Sequence, residues 1–199
     1  MATIALELNW HDFAQELDAD VRVALVRSIN RVADRSRTKA ARTVREEVNF
    51  PASYLSPSLG KLKVSQRARD GEYEAVISGR DRPTSLARFT KQKPDQKKRG
   101  GGVGVTVTAG GRRKVLKRGF LIELKGGNVG LAVRTSGGPP EGAWKPKEIA
   151  KNLYLLYGPS VDQVLMSASD QGGVYEEITP EMLDLLENEF DRQLQLLRK

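Results

Sequence analysis

From Asp12 to Phe50 the chain contains neither glycine nor proline, and along that stretch apolar or small residues return every three or four positions. Phe13, Leu17, Val21, Leu25, Ile29, Val32, Ser36, Ala40, Val44 and Val48 mark the stripe, which has the period of one helix face. The pattern predicts a single helix of about 36 residues, roughly three times the ordinary length. Asp12 opens it, Gln15 stands where a capping box needs it, and Pro51 closes it. Along the second half Ala33, Ser36, Ala40 and Ala41 replace the earlier Leu and Val, while Arg31, Arg35, Arg37, Lys39, Arg42 and Arg45 crowd the other faces. Small residues admit a second backbone closely, which makes these four the candidate subunit interface. The alternative is a solvated helix whose arginine stems cover the edges of the core.

The rest of the chain reads as short strands and two further helices. Ile4, Leu6 and Leu8 alternate with polar or small residues; Leu62 and Val64 begin a second alternation running to Ala68; Asp70-Gly71 turns it toward Tyr73, Ala75 and Ile77. Val103, Val105 and Val107 alternate again, and Phe120 to Leu124 and Val129 to Arg134 flank Gly126-Gly127-Asn128. Ile149 to Leu156 is expected as a short helix broken at Tyr157-Gly158-Pro159, with more helix over Ser160 to Ser167. The final helix is expected to start at Thr179 as N-cap with Pro180 in its first position, carrying Met182, Leu185, Leu186, Phe190, Leu194 and Leu197 on one face. The expected fold is α+β, one domain over residues 1–199. It has a long N-terminal helix, a small antiparallel sheet of four to five strands, an amphipathic C-terminal helix and two long Gly/Pro-rich loops, 80–118 and 135–146.

Charge is distributed unevenly along this frame. Residues 80–118 hold thirteen Lys/Arg against Asp81 and Asp95, a net of +11 in a chain whose total is +8. The same stretch contains Gly100, Gly101, Gly102, Gly104, Gly110 and Gly111, so it is expected to be a mobile basic arm, anchored by Leu86 and Phe89 and facing a polyanion or water. Its candidates for contact with DNA or a channel wall are Lys91, Lys93, Lys97, Lys98, Arg99, Arg112, Arg113, Lys114, Lys117 and Arg118. From Glu176 onward seven acids face three bases, so the chain is basic in the middle and acidic at the end, a polarity that favours attraction between copies.

Several functions are excluded or left without support. The absence of cysteine removes thiol chemistry, and a chain of this length buries roughly 70% of its unfolded surface without needing staples. His11 is the single histidine and has no metal-ligand companions. The run Gly100-Gly101-Gly102-Val103-Gly104 lacks the Gly-Lys-Ser/Thr ending of a phosphate loop, and Val105 replaces the third glycine of a dinucleotide fingerprint. No catalytic residue, metal or cofactor is therefore expected. No window is apolar enough to span a membrane and MATIALELNW lacks the features of a leader, so a soluble, unprocessed chain is expected. Aromatic residues make up only 6% of the chain, which leaves few platforms for base stacking. Any DNA contact is expected to run through phosphates without sequence preference.

Several segments taken together resemble the minor tail protein Z family of long-tailed bacteriophages and prophages, the tail completion proteins. They are Ser28-Ile29-Asn30-Arg31-Val32-Ala33 through Thr43-Val44-Arg45, the strand Lys61 to Val64, and Ser85-Leu86-Ala87-Arg88-Phe89. Gly104-Val105-Thr106-Val107 running on to Gly119-Phe120-Leu121 follows, and Leu156-Tyr157-Gly158-Pro159-Ser160-Val161 before the last helix is the most specific. The resemblance covers roughly residues 25 to 198 and implies a virion structural protein, assembled in the host cytoplasm. It further implies action at the head-proximal end of the tail, beside the tail terminator, tail tube and head-tail connector, as a homo-oligomeric ring matching the tube's sixfold symmetry around or beside the DNA channel. The family carries no catalytic residues to transfer. The competing expectation is a free, sequence-nonspecific nucleic-acid-binding protein that uses the basic arm.

Overall fold

The computed structural model describes residues 3–5, 18–94, 101–143, 145–170 and 174–197. Helix α1 spans Ala19–Glu47. It starts later than the apolar periodicity predicts, because Asp18 is held at φ −56° and ψ 150°, outside the helical region, and its side chain caps nothing. The Asp12/Gln15 capping box lies outside the described residues. The helix ends where Val48 turns extended (φ −123°, ψ 130°), pairs with Thr108, and hands over to Asn49, whose N–H donates to the Val107 carbonyl at 2.7 Å. Pro51 then disfavours any helical continuation at Phe50.

Strands β1 (Thr3–Ala5), β2 (Leu62–Gln66) and β3 (Val76–Gly79) form an antiparallel sheet in the order β1-β3-β2. The expected turn at Asp70-Gly71 is present: Arg69 and Glu72 pair across it, and Gly71 takes φ +81°, a conformation side chains resist. Strand β4 (Thr84–Ser85), a 3-10 turn (Leu86–Phe89), β5 (Val103–Val105) and β6 (Lys114–Leu116) follow. Then come β7 (Gly119–Glu123), β8 (Val129–Arg134), β9 (Lys147–Ala150) and β10 (Leu153–Leu155). These last four make an antiparallel sheet in the order β7-β8-β10-β9, while β5 pairs with β6, and β4 with β11 (Tyr157–Gly158). The strands are thus distributed over two small sheets and two short ladders rather than gathered in one.

The segment expected as a helix over Ile149 to Leu156 is instead the β9–β10 hairpin. Asn152 turns it at φ +57°, and Tyr154 and Leu155 are registered against Val133 and Ala132 of β8, so sheet pairing overrides the local preference. Gly158 lies in β11. A Cβ there would sit 3.1 Å from Leu86 Cδ2 and 3.2 Å from Phe89 Cε2, so a side chain at this position would push on the 3-10 turn that β11 approaches. Ser160 then opens helix α2 (Val161–Asp170) with a reciprocal box: Gln163 N–H donates to Ser160 Oγ and Ser160 N–H to Gln163 Oε1, both at 3.0 Å.

Helix α3 spans Val174–Leu197 and carries Pro180 in its interior rather than at its first position. It runs antiparallel to α1, as the ion pairs Lys39–Glu181 and Arg31–Glu189 show. The core lies between these helices and the sheets, with Tyr54, Phe50, Leu55, Leu62, Leu131, Val44 and Val161 its largest fully covered side chains. Met182 and Leu186 are buried from α3, but the same row also buries Glu189 and Gln193, which the apolar pattern does not reveal.

Ala33, Ser36 and Ala40 lie inside this core, and Ala41 is partly buried against it. Ser36 Oγ donates to its own helix at Val32 O, 2.8 Å away. In the isolated chain these small residues are covered by the chain itself. Ala40, with no exposed surface, has no room for a larger side chain. Ala40→Leu is expected to lower unfolding stability by roughly 1–3 kcal/mol through overpacking, read as a shifted urea midpoint; an unchanged midpoint with altered mass in solution would instead put Ala40 at a subunit contact.

Candidate functional site

The basic arm is largely folded. Ser85 and Thr84 pair with Tyr157 and Gly158, Phe89 is buried, and β5 and β6 close a hairpin with Val103 opposite Leu116. Lys91 and Lys93 leave the 3-10 turn, Arg112 and Arg113 precede β6, Lys114 lies on it, and Lys117 and Arg118 turn toward β7, all exposed. Lys97, Lys98 and Arg99 lie outside the described residues.

At the base of this hairpin four cations converge on a cleft of about 660 Å³: Arg45, Arg88, Lys91 and Arg113. Arg45 comes from the last turn of α1, where a cation complements the helix dipole, and its Nε donates to the Phe50 carbonyl at 3.3 Å. Arg88 projects from the 3-10 turn with its guanidinium carbon 4.7 Å from the Tyr54 ring centroid, a cation–π contact that holds the fork in place. Arg113 lies across Gly104 so closely that a Cβ at Gly104 would fall 1.9 Å from its Nε. Glycine at that position is therefore what lets the guanidinium lie flat on the strand.

The cleft is braced by neutral groups. Gln92 Oε1 accepts the Gly104 N–H at 2.8 Å, Gln92 N–H donates to Thr90 Oγ1 at 3.1 Å, and Asn49 Nδ2 donates to Thr106 O at 3.3 Å. Its floor is aromatic: Phe50 sits 5.5 Å from Phe89 and 5.8 Å from Tyr54, centroid to centroid. Tyr54 OH is itself held by Arg80 Nη1 at 3.0 Å and lies 3.3 Å from Thr84 Oγ1. Among the described residues no carboxylate lines the cleft and none of its four cations forms an ion pair. Four like charges in one concavity repel until an anion enters, so the arrangement favours an oxyanion-bearing ligand.

Of the ten predicted contact residues the structure brings Lys91 and Arg113 into this cleft and leaves the other described ones spread over the hairpin surface. Arg45 and Arg88 were not among the predicted contacts. In the sequence Arg88 belongs to the basic stretch 80–118 and Arg45 to the cations of the first helix, and neither is set apart from its neighbours there.

A second depression, about 710 Å³, runs between α1 and α3 and is mixed in sign, with Arg31, Arg35, Lys39 and Arg42 facing Asp34, Glu46 and Glu181. Beside it Glu189 is 4% exposed, accepts from Gln193 Nε2 at 2.9 Å and from the guanidinium of Arg192, and forms an ion pair with Arg31 Nε at 3.3 Å. The Arg192 hydrogen bonds lead in holding its carboxyl down to about 2, with Gln193 and the nearby Arg31 charge adding to them against the cost of burial. Arg37, expected on an outer face, is buried. Its Nε donates to Leu62 O at 3.0 Å, its Nη2 has no partner, and burial lowers its pKa.

No cluster of three or more potential metal ligands occurs among the described residues, no described helix is long and apolar enough to cross a membrane, and His11 lies outside them. The family model for prophage minor tail protein Z matches residues 14–199. No curated protein and no solved structure matches the chain.

Proposed function

The chain belongs to the prophage minor tail protein Z family, and from that membership we propose that it completes the head-proximal end of a phage tail at the head-tail junction. The family is one of phage tail proteins, which supports a structural role in the virion tail. The proposed form is a homo-oligomeric ring, with six copies to match the tube, around or beside the DNA channel and in contact with the tail terminator, the tube or the connector. Assembly takes place in the host cytoplasm before the tail joins the head. The lysines and arginines from Lys91 to Arg118 supply the positive field that passing DNA meets, through its phosphates and without sequence preference.

The observation that carries this reading is the match over nearly the whole chain, and the exposed basic hairpin agrees with it. Purified protein mixed with purified tail tubes tests it. Density at one tube end, together with a ring mass by light scattering, is the expected result. A monomer that ignores tubes yet retards duplex DNA, with affinity falling steeply as salt rises, would replace it with a free nucleic-acid binder.

A further inference from the structure

The face of α3 that points away from the core carries Asp184, Glu187 and Asp191. Their spacing of three and four residues places them in one row, opposite the buried Met182, Leu186, Glu189 and Gln193. All three are exposed, and none has a cationic partner among the described residues. Among the described residues, then, the acidic row and the basic cleft both stand without a partner of opposite charge.

The two cannot meet within one molecule. Glu189 is fastened to Arg31 and Glu181 to Lys39, so α3 runs from near Lys39 back toward the start of α1, away from Arg45. Arg45 lies fourteen residues beyond Arg31 on the same helix, about 21 Å at 1.5 Å per residue. The acidic row also looks outward, on the side of α3 opposite its contact with α1.

We propose that the acidic row of α3 from one copy docks in the Arg45/Arg88/Lys91/Arg113 cleft of the next, forming the head-to-tail contact of the ring; this deepens the ring reading above and rests on it. The scales agree. Asp184 to Asp191 spans about 10 Å of helix, and a volume of about 660 Å³ corresponds to an equidimensional cleft about 9 Å across. Two guanidinium groups, one steadied on Tyr54 and one laid over Gly104, line the cleft, and such groups pair with carboxylates bidentately. Because cleft and row are different surfaces, the contact is heterologous, and repetition closes a ring when its rotation divides the circle.

Charge exchange tests the contact. One variant carries Arg88→Glu and Arg113→Glu, the other Asp184→Lys, Glu187→Lys and Asp191→Lys; circular dichroism checks that both stay folded. Self-association is followed by sedimentation at low salt and by imaging on tail-tube ends. Each variant alone should associate at least about tenfold more weakly than wild type, and an equimolar mixture should regain a one-to-one pairing, made by the unchanged acidic row of the cleft variant in the unchanged cleft of the row variant. Wild-type-like association by both variants would overturn this contact while leaving the ring intact. Loss of duplex-DNA binding in the cleft variant with association unchanged would make the cleft a phosphate site and overturn it too. A wild type that stays monomeric in solution and on tube ends would sink both the contact and the ring.

Discussion

Phe50→Ala is expected to lower unfolding stability by about 3–5 kcal/mol, as removal of a fully packed aromatic ring from a core does. The ring is 1% exposed and sits within 6 Å of both Tyr54 and Phe89, centroid to centroid. Three separate segments meet on it: the exit of α1, the turn after Pro51, and the 3-10 turn that carries Arg88. Its loss also removes the floor under the cleft, so Phe50→Leu, which keeps most of the volume, should retain the fold while loosening Arg88. Urea unfolding measures the first effect. A cost below about 1 kcal/mol for the alanine variant would mean the three segments are not held together there.

The second large effect is tied to pH. Glu189 is a buried carboxylate held down to about 2 from 4.5, first by Arg192 and then by Gln193 and Arg31. A carboxyl depressed on folding contributes stability that is complete above its unfolded value and is lost as pH falls from about 4.5 toward 2. Because Arg31 and Arg192 are themselves about half exposed, solvent screening reduces the contribution to roughly 2 kcal/mol. Glu189→Gln should therefore be less stable than wild type at pH 7 by about that amount and should show a flatter decline in acid. Parallel acid limbs for the two proteins, in urea titrations from pH 7 to pH 2.5, would show that the carboxyl is not ionised in a protected site.

The elements carried by long periodic patterns were legible in the sequence, and those decided by distant partners were not. The apolar and small residues from Leu25 to Val44 repeat at helical spacing, and Leu25, Ile29, Val32, Ser36, Ala40 and Val44 are indeed buried along that face. By contrast, Ile149 to Leu156 can be patterned as a helical turn or as a hairpin, and the choice falls to β8, which offers Val133 and Ala132 as partners. Thr179-Pro180 carries the local signature of a helix start, yet α3 begins at Val174. Glu189 sits in an apolar row as a buried acid because its partners arrive from one turn later and from the other helix.

The site divides in the same way. A run of cations marks the hairpin as basic in the sequence, and Arg88, Lys91 and Arg113 belong to that run. The cleft needs Arg45 as well, which lies more than forty residues upstream of Lys91. Its convergence with Arg88 depends on Asn49 binding the strand region at Val107 and on Phe50 binding the 3-10 turn. No spacing rule records such a meeting, because it is made by tertiary packing.

The antiparallel seam of α1 against α3 also sets the order of events during synthesis. The apolar face of α1 leaves the ribosome early, and although β2 and β3 cover part of it, the rest of its cover arrives only with the residues around Met182 and Leu186. Most of the chain must be made before that seam can close, so its contacts are long-range and costly in loop entropy. A nascent chain halted before α3 carries an exposed helix face, one that chaperones and other nascent copies can reach. Closure of the seam therefore makes translation of the last helix the step that separates a sticky intermediate from a protein fit to wait for its tail.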